Sequence, residues 1–428
     1  MKVSTLSSSF LTVAALLIGI ASPAFAQTDS RRAHVIVPNS SIERIEDRGV
    51  RSHTNVLILQ PAAGTMPAAG FSPFVGTPGP GTFYETPASI GCLYKLTKFV
   101  KGCNPNTVTA NPIGGFGAIA IVDAYDDPSA ATDLAAFSTQ FGLPVPTSKT
   151  FSVVYANGTK PIQDSTGGWE LEESLDIEWA HAMAPNAAII LVEAKTNNNA
   201  DLYAAVTKAA ALVNAAGGGE VTMSWGGSES AGETSSDSLF VESGVVFFAS
   251  TGDTEGTSYP SSSPNVVAAG GTTISRNPIT GAFQFELAWN LAGGGPSTVE
   301  PRPSYQNGIE SIVGNVRGTP DLSFDADPNT GVWVKDSIKV NGQGGPGAWW
   351  IVGGTSVSSP ALAGIVNATG LKNTSSEAEL TEIYNNKAVV ADFADTIKGA
   401  CYFYDGYLAV KGWDFCTGVG SVKGKVGK

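Results

Sequence analysis

The chain has 428 residues, a formal net charge of −13 and only 25 Lys and Arg, which argues against a nucleic-acid or anionic-membrane partner. Hydrophobic residues make up 42%, enough for a large core and too many for a disordered chain. With 50 Gly, 25 Pro and few charges, the composition fits a compact, loop-rich extracellular protein.

Residues 1–26 read as a secretory signal: Lys2, an apolar run over 10–20, and a small-x-small site at Ala24-Phe25-Ala26. The run is too short to span a bilayer, so a secreted, extracellular or periplasmic monomer is expected. Residues 27–82 read as a short extension and linker with one strand at 55–59 and a Pro/Gly-rich stretch to Pro80. One large domain is expected over 83–428. Its first part alternates: strand 117–123, helix 128–141, strand 151–155, helix 170–184 stopped by Pro185, and strand 187–193. Helix 201–216 ends in three glycines, and strands follow at 220–225 and 245–250. This alternation predicts an α/β protein, a mostly parallel sheet with helices on both faces. Active sites in such sheets lie beyond the carboxyl ends of strands, where Asp123, Trp225 and Asp253 fall. Cys92 with Cys103 and Cys401 with Cys416 are sequence-near pairs suited to two small disulfide loops, and their spacing does not resemble a zinc site.

The run Gly354-Thr-Ser-Val-Ser-Ser-Pro360 sets Ser356 at the mouth of a turn, ahead of a helix expected over 358–370 with Pro360 in its first turn. A hydroxyl there is exposed beside backbone N–H groups and the positive end of a helix dipole, a setting for a nucleophile. Five carboxylates fall within 169–179. Glu172 and Asp176, four apart, share a helix face and tend to hold one proton between them. Glu173 is rotated away and is the best decoy. The competing reading is a solvated acidic face. Asp253 ends a strand after Gly252, either as a turn residue or as a protonated donor to an oxyanion. Trp225 is either a cleft wall or a core side chain. The only histidines are His34, His53 and His181, and His181 is turned to another face of the Glu172 helix.

These motifs together resemble the sedolisin family, the serine-carboxyl peptidases with a subtilisin-like fold, over roughly 86–420. The Glu-x-x-x-Asp helix matches Glu172 and Asp176, Ser-Trp-Gly matches Ser224 to Gly226, Gly-Asp matches Asp253, and Gly-Thr-Ser-x-x-x-Pro matches Ser356. The resemblance implies peptide-bond hydrolysis of protein or peptide substrates in acid, through an acyl-enzyme on Ser356. Glu172 is then the base, Asp176 its orienting partner, Asp253 the oxyanion donor, Trp225 a substrate contact and Asp123 an auxiliary acid. It further implies one structural Ca²⁺ held by Asp395, Thr396, Val410, Gly412 and Asp414. The roughly fifty to sixty residues before the catalytic region are too few for the large folded propeptide the family usually carries. Two rivals stand beside this reading: an Asp-His-Ser triad, and a catalytically inactive binding protein on the same fold.

Overall fold

The computed structural model describes residues 33–60, 78–79, 82–370, 373–388, 391–402 and 406–424. The expected signal at 1–26 lies outside them.

Residues that are apolar without alternation form strands covered on both sides. Strand β4 (Ala118–Ala124) is the central case, buried at every position. Around it a ten-stranded sheet is assembled. From one edge inward its order is β15 (Phe393–Ala394), β16 (Ser421–Val422), β12 (Leu322–Asp325), β10 (Val267–Arg276) and β9 (Val245–Ser250). It continues through β7 (Gly219–Met223), β4, β6 (Ala188–Ala194) and β5 (Phe151–Tyr155). Only β15 and a side strand, β11 (Phe283–Ala288), pair antiparallel in it. Every strand–helix alternation expected between 117 and 250 is present, with ends shifted by a residue or two.

Helix α1 (Ala130–Phe141) is followed by α2 (Gly168–Met183), all sixteen residues of which are buried. The Asp164 carboxylate accepts from the N–H groups of Gly168 and Trp169 and so satisfies donors at its start. Pro185 lies just past its end. Helix α3 (Asn199–Ala215) ends at glycines 217–219, all with positive φ. Helix α4 (Thr355–Ala368) lies against α2, and the contact depends on Gly364: a Cβ there would stand 2.7 Å from Met183 Cβ and 2.9 Å from Ala180 O. That close approach fixes the serine-bearing helix against the carboxylate-bearing one.

A smaller sheet runs β1 (His34–Ile36), β3 (Leu57–Gln60), β14 (Trp349–Gly353) and β13 (Val332–Lys335). Strand β2 (His53–Thr54) pairs antiparallel with β8 (Trp225–Ser228). Residues 53–60, expected in a separate extension, are thus built into the catalytic body on both sides of Asn55. Disulfides join Cys92 to Cys103 and Cys401 to Cys416. No helix among the described residues is long and apolar enough to cross a membrane.

Candidate active site

Strand β14 runs into Gly354, whose φ is +99° and where a Cβ would collide with the Asn55 carbonyl oxygen and Asp253 Oδ2. Glycine is required there because two oxygens must lie against the backbone. Helix α4 begins at Thr355, three residues earlier than expected, so Ser356 sits within its first turn. Pro360 is consequently past the first turn. It lacks the N–H that would bond the Ser356 carbonyl. The Ser224 hydroxyl reaches that freed oxygen at 3.2 Å.

The amide donors of this helix start are used outside the helix. Thr355 N–H donates to Asp253 Oδ1 at 2.7 Å, and Ser356 N–H donates to the Asn55 carbonyl oxygen at 3.0 Å. The Thr355 hydroxyl also donates to Asp253 Oδ1, at 2.9 Å. Oδ1 therefore accepts two bonds, while Oδ2 is cut off from solvent with no partner. Burial pushes the Asp253 carboxyl up to about 7, against the lowering effect of the Thr355 bonds. The residue as a whole keeps some surface, but the burial that governs titration is that of the carboxyl oxygen. A proton on Asp253 resides on Oδ2, next to the Asn55 oxygen.

Glu172 and Asp176 are fully buried one turn apart on α2. Burial, then Asp176 and Asp123, drive the Glu172 pKa well above the usual carboxylate range. Burial likewise raises Asp176, opposed by its bond with Ser224. The Ser224 hydroxyl is 2.8 Å from Asp176 Oδ1 and 3.2 Å from Ser356 O, and it has one proton for two acceptors. A protonated Asp176 donating to Ser224 Oγ satisfies both contacts. Asp123, at the end of β4, is buried with both oxygens unpartnered and is raised by burial, Asp176 and Glu193. Among the described residues no ion pair reaches Asp123, Glu172, Asp176 or Asp253. Proton uptake is then the remaining way to neutralise them.

Both Glu172 oxygens lack a partner within hydrogen-bonding distance, although Ser356 is near enough to lower its pKa through the hydroxyl. The Ser356 hydroxyl donates instead to Ser224 O, at 3.1 Å. Serine and glutamate are adjacent, and the contact between them is open.

No family model matches the chain. Sedolisin of Pseudomonas sp. (strain 101) is 26% identical over 365 residues, covering 75% of this chain and 60% of that protein. Kumamolisin of Bacillus sp. (strain MN-32) is 29% identical over 343 residues, covering 71% and 58%. A solved structure of Pseudomonas sedolisin, a serine-carboxyl proteinase complexed with two molecules of pseudo-iodotyrostatin, matches with a TM-score of 0.64. That match has 23% identity and covers 80% of this chain and 96% of the other. The chain is similar to peptidases of the sedolisin family. It spans about 60% of the length of these curated relatives. The structural likeness bears out the subtilisin-like α/β fold.

The fold places Trp225, the expected substrate contact, at the start of β8. It is fully buried and donates to Val122 O at 2.6 Å, while its backbone pairs with Thr54. Glu173, the expected decoy, is fully buried too, raised by burial and by Glu193, so the acidic face of α2 is not solvated. His181 is engaged elsewhere, its Nε2 2.8 Å from Pro144 O. Three participants were missed in the sequence reading. Ser224 and Thr355 lie inside the quoted motifs, so their hydroxyls could have been flagged. Asn55 carries no local signal.

Hydrogen bonds join four of the five expected calcium ligands in two pairs. Asp395 accepts from Gly412 N–H at 2.9 Å, and Asp414 accepts from the N–H groups of Val410, Cys416 and Thr417. An all-oxygen set of two carboxylates and the carbonyls of Thr396, Val410 and Gly412 fits a hard cation. The loop's own N–H groups already satisfy both oxygens of Asp414. No cluster of three or more His, Cys, Asp or Glu suited to a metal occurs among the described residues.

Proposed function

We propose that this chain is a secreted serine-carboxyl peptidase that hydrolyses peptide bonds of proteins or peptides in acid. The observation that carries this reading is the convergence on Ser356: its N–H points at a peptide carbonyl oxygen, with the buried Asp253 Oδ2 beside that oxygen and Glu172 beside the hydroxyl.

In the forward step Ser356 Oγ attacks the substrate carbonyl carbon while its proton passes to Glu172, which must be the ionised member of its pair. Asp176 keeps its proton, holds Ser224 and so steadies the Ser356 backbone. The developing oxyanion receives the Ser356 N–H and the Asp253 carboxyl proton, both preorganised in a site shielded from water. Glu172 returns the proton to the leaving amine, and the C–N bond breaks to give an acyl-Ser356. Water attacks that ester with Glu172 again as base, releasing the carboxylic acid product. As pH rises through about 7, Asp253 loses its proton and sets a negative charge against the oxyanion, so activity belongs to the acid side.

The Ca²⁺ reading extends this proposal: Asp395, Asp414 and the carbonyls of Thr396, Val410 and Gly412 would hold a structural ion that braces the loop closed by Cys401 and Cys416. The chemistry itself does not run through it.

Casein cleavage at about pH 4 tests the peptidase reading, comparing wild type with Ser356→Ala and Glu172→Gln. Both variants are expected to lose activity by roughly a thousandfold or more. Undiminished cleavage by either variant contradicts the assignment. Absence of cleavage by the wild type at every pH would favour the inactive binding protein.

A further inference from the structure

Alternation along two strands sets a second group of acids beside the Glu172–Asp176 pair. In β4, Ile119 and Ile121 pack in the cluster that holds Leu171 and Leu175 of α2, whereas Ala120 and Val122 face the opposite layer. Asp123, the next residue, therefore returns to the α2 side. In β6, Ile189 and Leu191 share that cluster while Val192 faces away, which turns Glu193 to the α2 side as well. The parallel register puts Asp123 opposite Glu193. Glu173 meets them from α2: after burial, the charges that raise it are Glu193, Asp127, Asp123 and Glu170.

Asp123, Glu173 and Glu193 are buried, and neither oxygen of any of them has a hydrogen-bond partner. A buried acid stays neutral by keeping its proton, and in an ordinary core that proton is spent on a fixed acceptor. Here no such bond fixes the carboxyls, and their broad terminal torsions let each turn from one neighbour to another.

The group runs from the catalytic pair to the surface. Inward, Asp123 is raised by burial and then by Asp176 and Glu193, and it raises Glu172 in turn. Outward, Asp126 and Asp127 are the acids felt by Glu193, and Lys160 is its one cationic influence. The Ser174 hydroxyl of α2 donates to Asp127 Oδ2 at 3.3 Å. Asp126 Oδ2 lies 3.1 Å from Lys160 Nζ, on a side chain that is 56% exposed. Burial drives Glu173 well above the usual carboxylate range, Glu193 to about 8 and Asp127 to about 6. Protons are held less tightly toward the outer end.

We propose that Glu173 and Glu193 support the reaction by acting through Asp123, passing protons between the Glu172–Asp176 pair and solvent at the Asp126–Lys160 edge. The inference rests on the peptidase reading. When Glu172 must become the base, its proton goes to one oxygen of Asp123, which releases its own proton from the other oxygen to Glu193 or Glu173. That acid hands a proton on in the same way, and one leaves through Asp127 and Asp126. Only O–H bonds form and break, and the one charge left behind is the Glu172 carboxylate. Recharging then needs no water in the cleft, which substrate fills during turnover.

The test uses Glu173→Gln and Glu193→Gln, whose amides keep the size of the side chain and cannot relay a proton. On a peptide substrate at about pH 4, in water and in deuterium oxide, each is expected to lower kcat roughly tenfold with KM little changed. The solvent isotope effect on kcat is expected to rise, and Glu193→Asp to recover most of the rate. Wild-type kcat in both Gln variants, or a lower kcat without a larger isotope effect, overturns the relay and leaves the peptidase reading standing. Where a Gln variant fails to fold, Asp126→Asn at the outer end is measured instead: the same rise in isotope effect is expected, and an unchanged value overturns the relay. A wild type that cleaves nothing at any pH overturns both.

Discussion

Asp253 shows how one side chain can be tuned by two opposing effects. Thr355 offers two donors to Oδ1 and favours the anion, yet burial wins and pushes the carboxyl up to about 7. Because those donors are spent on Oδ1, the proton that burial retains belongs on Oδ2, which has no partner and in the proposed mechanism serves the oxyanion. Removing that donor with Asp253→Ala should reduce kcat at about pH 4 by roughly a hundredfold to a thousandfold, the cost of losing one oxyanion donor. KM should change little, since the bond strengthens mainly in the transition state. A large rise in KM at constant kcat would instead make Asp253 a binding residue. The motif around Asp253 was legible in the sequence; which oxygen carries the proton was not, because that depends on Thr355 packing from 102 residues away.

At the scale of elements, the strand–helix alternation was readable because buried parallel strands are continuously apolar and glycine or proline punctuates the helices. The start of α4 was misplaced because Pro360 suggested a first turn, whereas the helix tolerates it further in and passes the freed Ser356 carbonyl to Ser224. Strand β3 was found but read as part of a linker. Its partner β14 lies nearly three hundred residues on, and no local pattern reveals such a pairing. In the loop expected to hold calcium, Asp395 accepts from Gly412 and Asp414 from Val410. Adding a calcium chelator is expected to lower the thermal midpoint by several degrees in wild type and not in Asp395→Ala. An unchanged midpoint in wild type would make the loop a metal-free, disulfide-pinned structure.

At the scale of the whole molecule, acidic composition and the site share one cause. Buried carboxylates without cationic partners hold protons in the folded state that they lose when unfolded. Burial raises Asp253 to about 7, Glu170 to about 8 and Glu193 to about 8. The folded state then binds more protons than the unfolded chain between about pH 4 and pH 8. Stability is fully present below the unfolded carboxylate range and is lost as pH rises through these folded values. Thermal midpoints should fall steadily from about pH 4 to pH 8, by an amount corresponding to at least a few kcal/mol on the order of the shifts themselves. A midpoint that rises toward neutral pH would mean that these carboxylates are ionised in the fold.

In the proposed mechanism the same protons govern catalysis, so the most direct test is the pH dependence of kcat/KM on a peptide library, measured for wild type and Asp253→Asn. Wild type should be most active in acid and lose activity as pH rises through about 7. Asp253→Asn, whose amide cannot ionise, should be slower yet lack that particular descent. An optimum on the alkaline side, abolished by His181→Ala, would contradict carboxylate-driven catalysis and return the chemistry to imidazole.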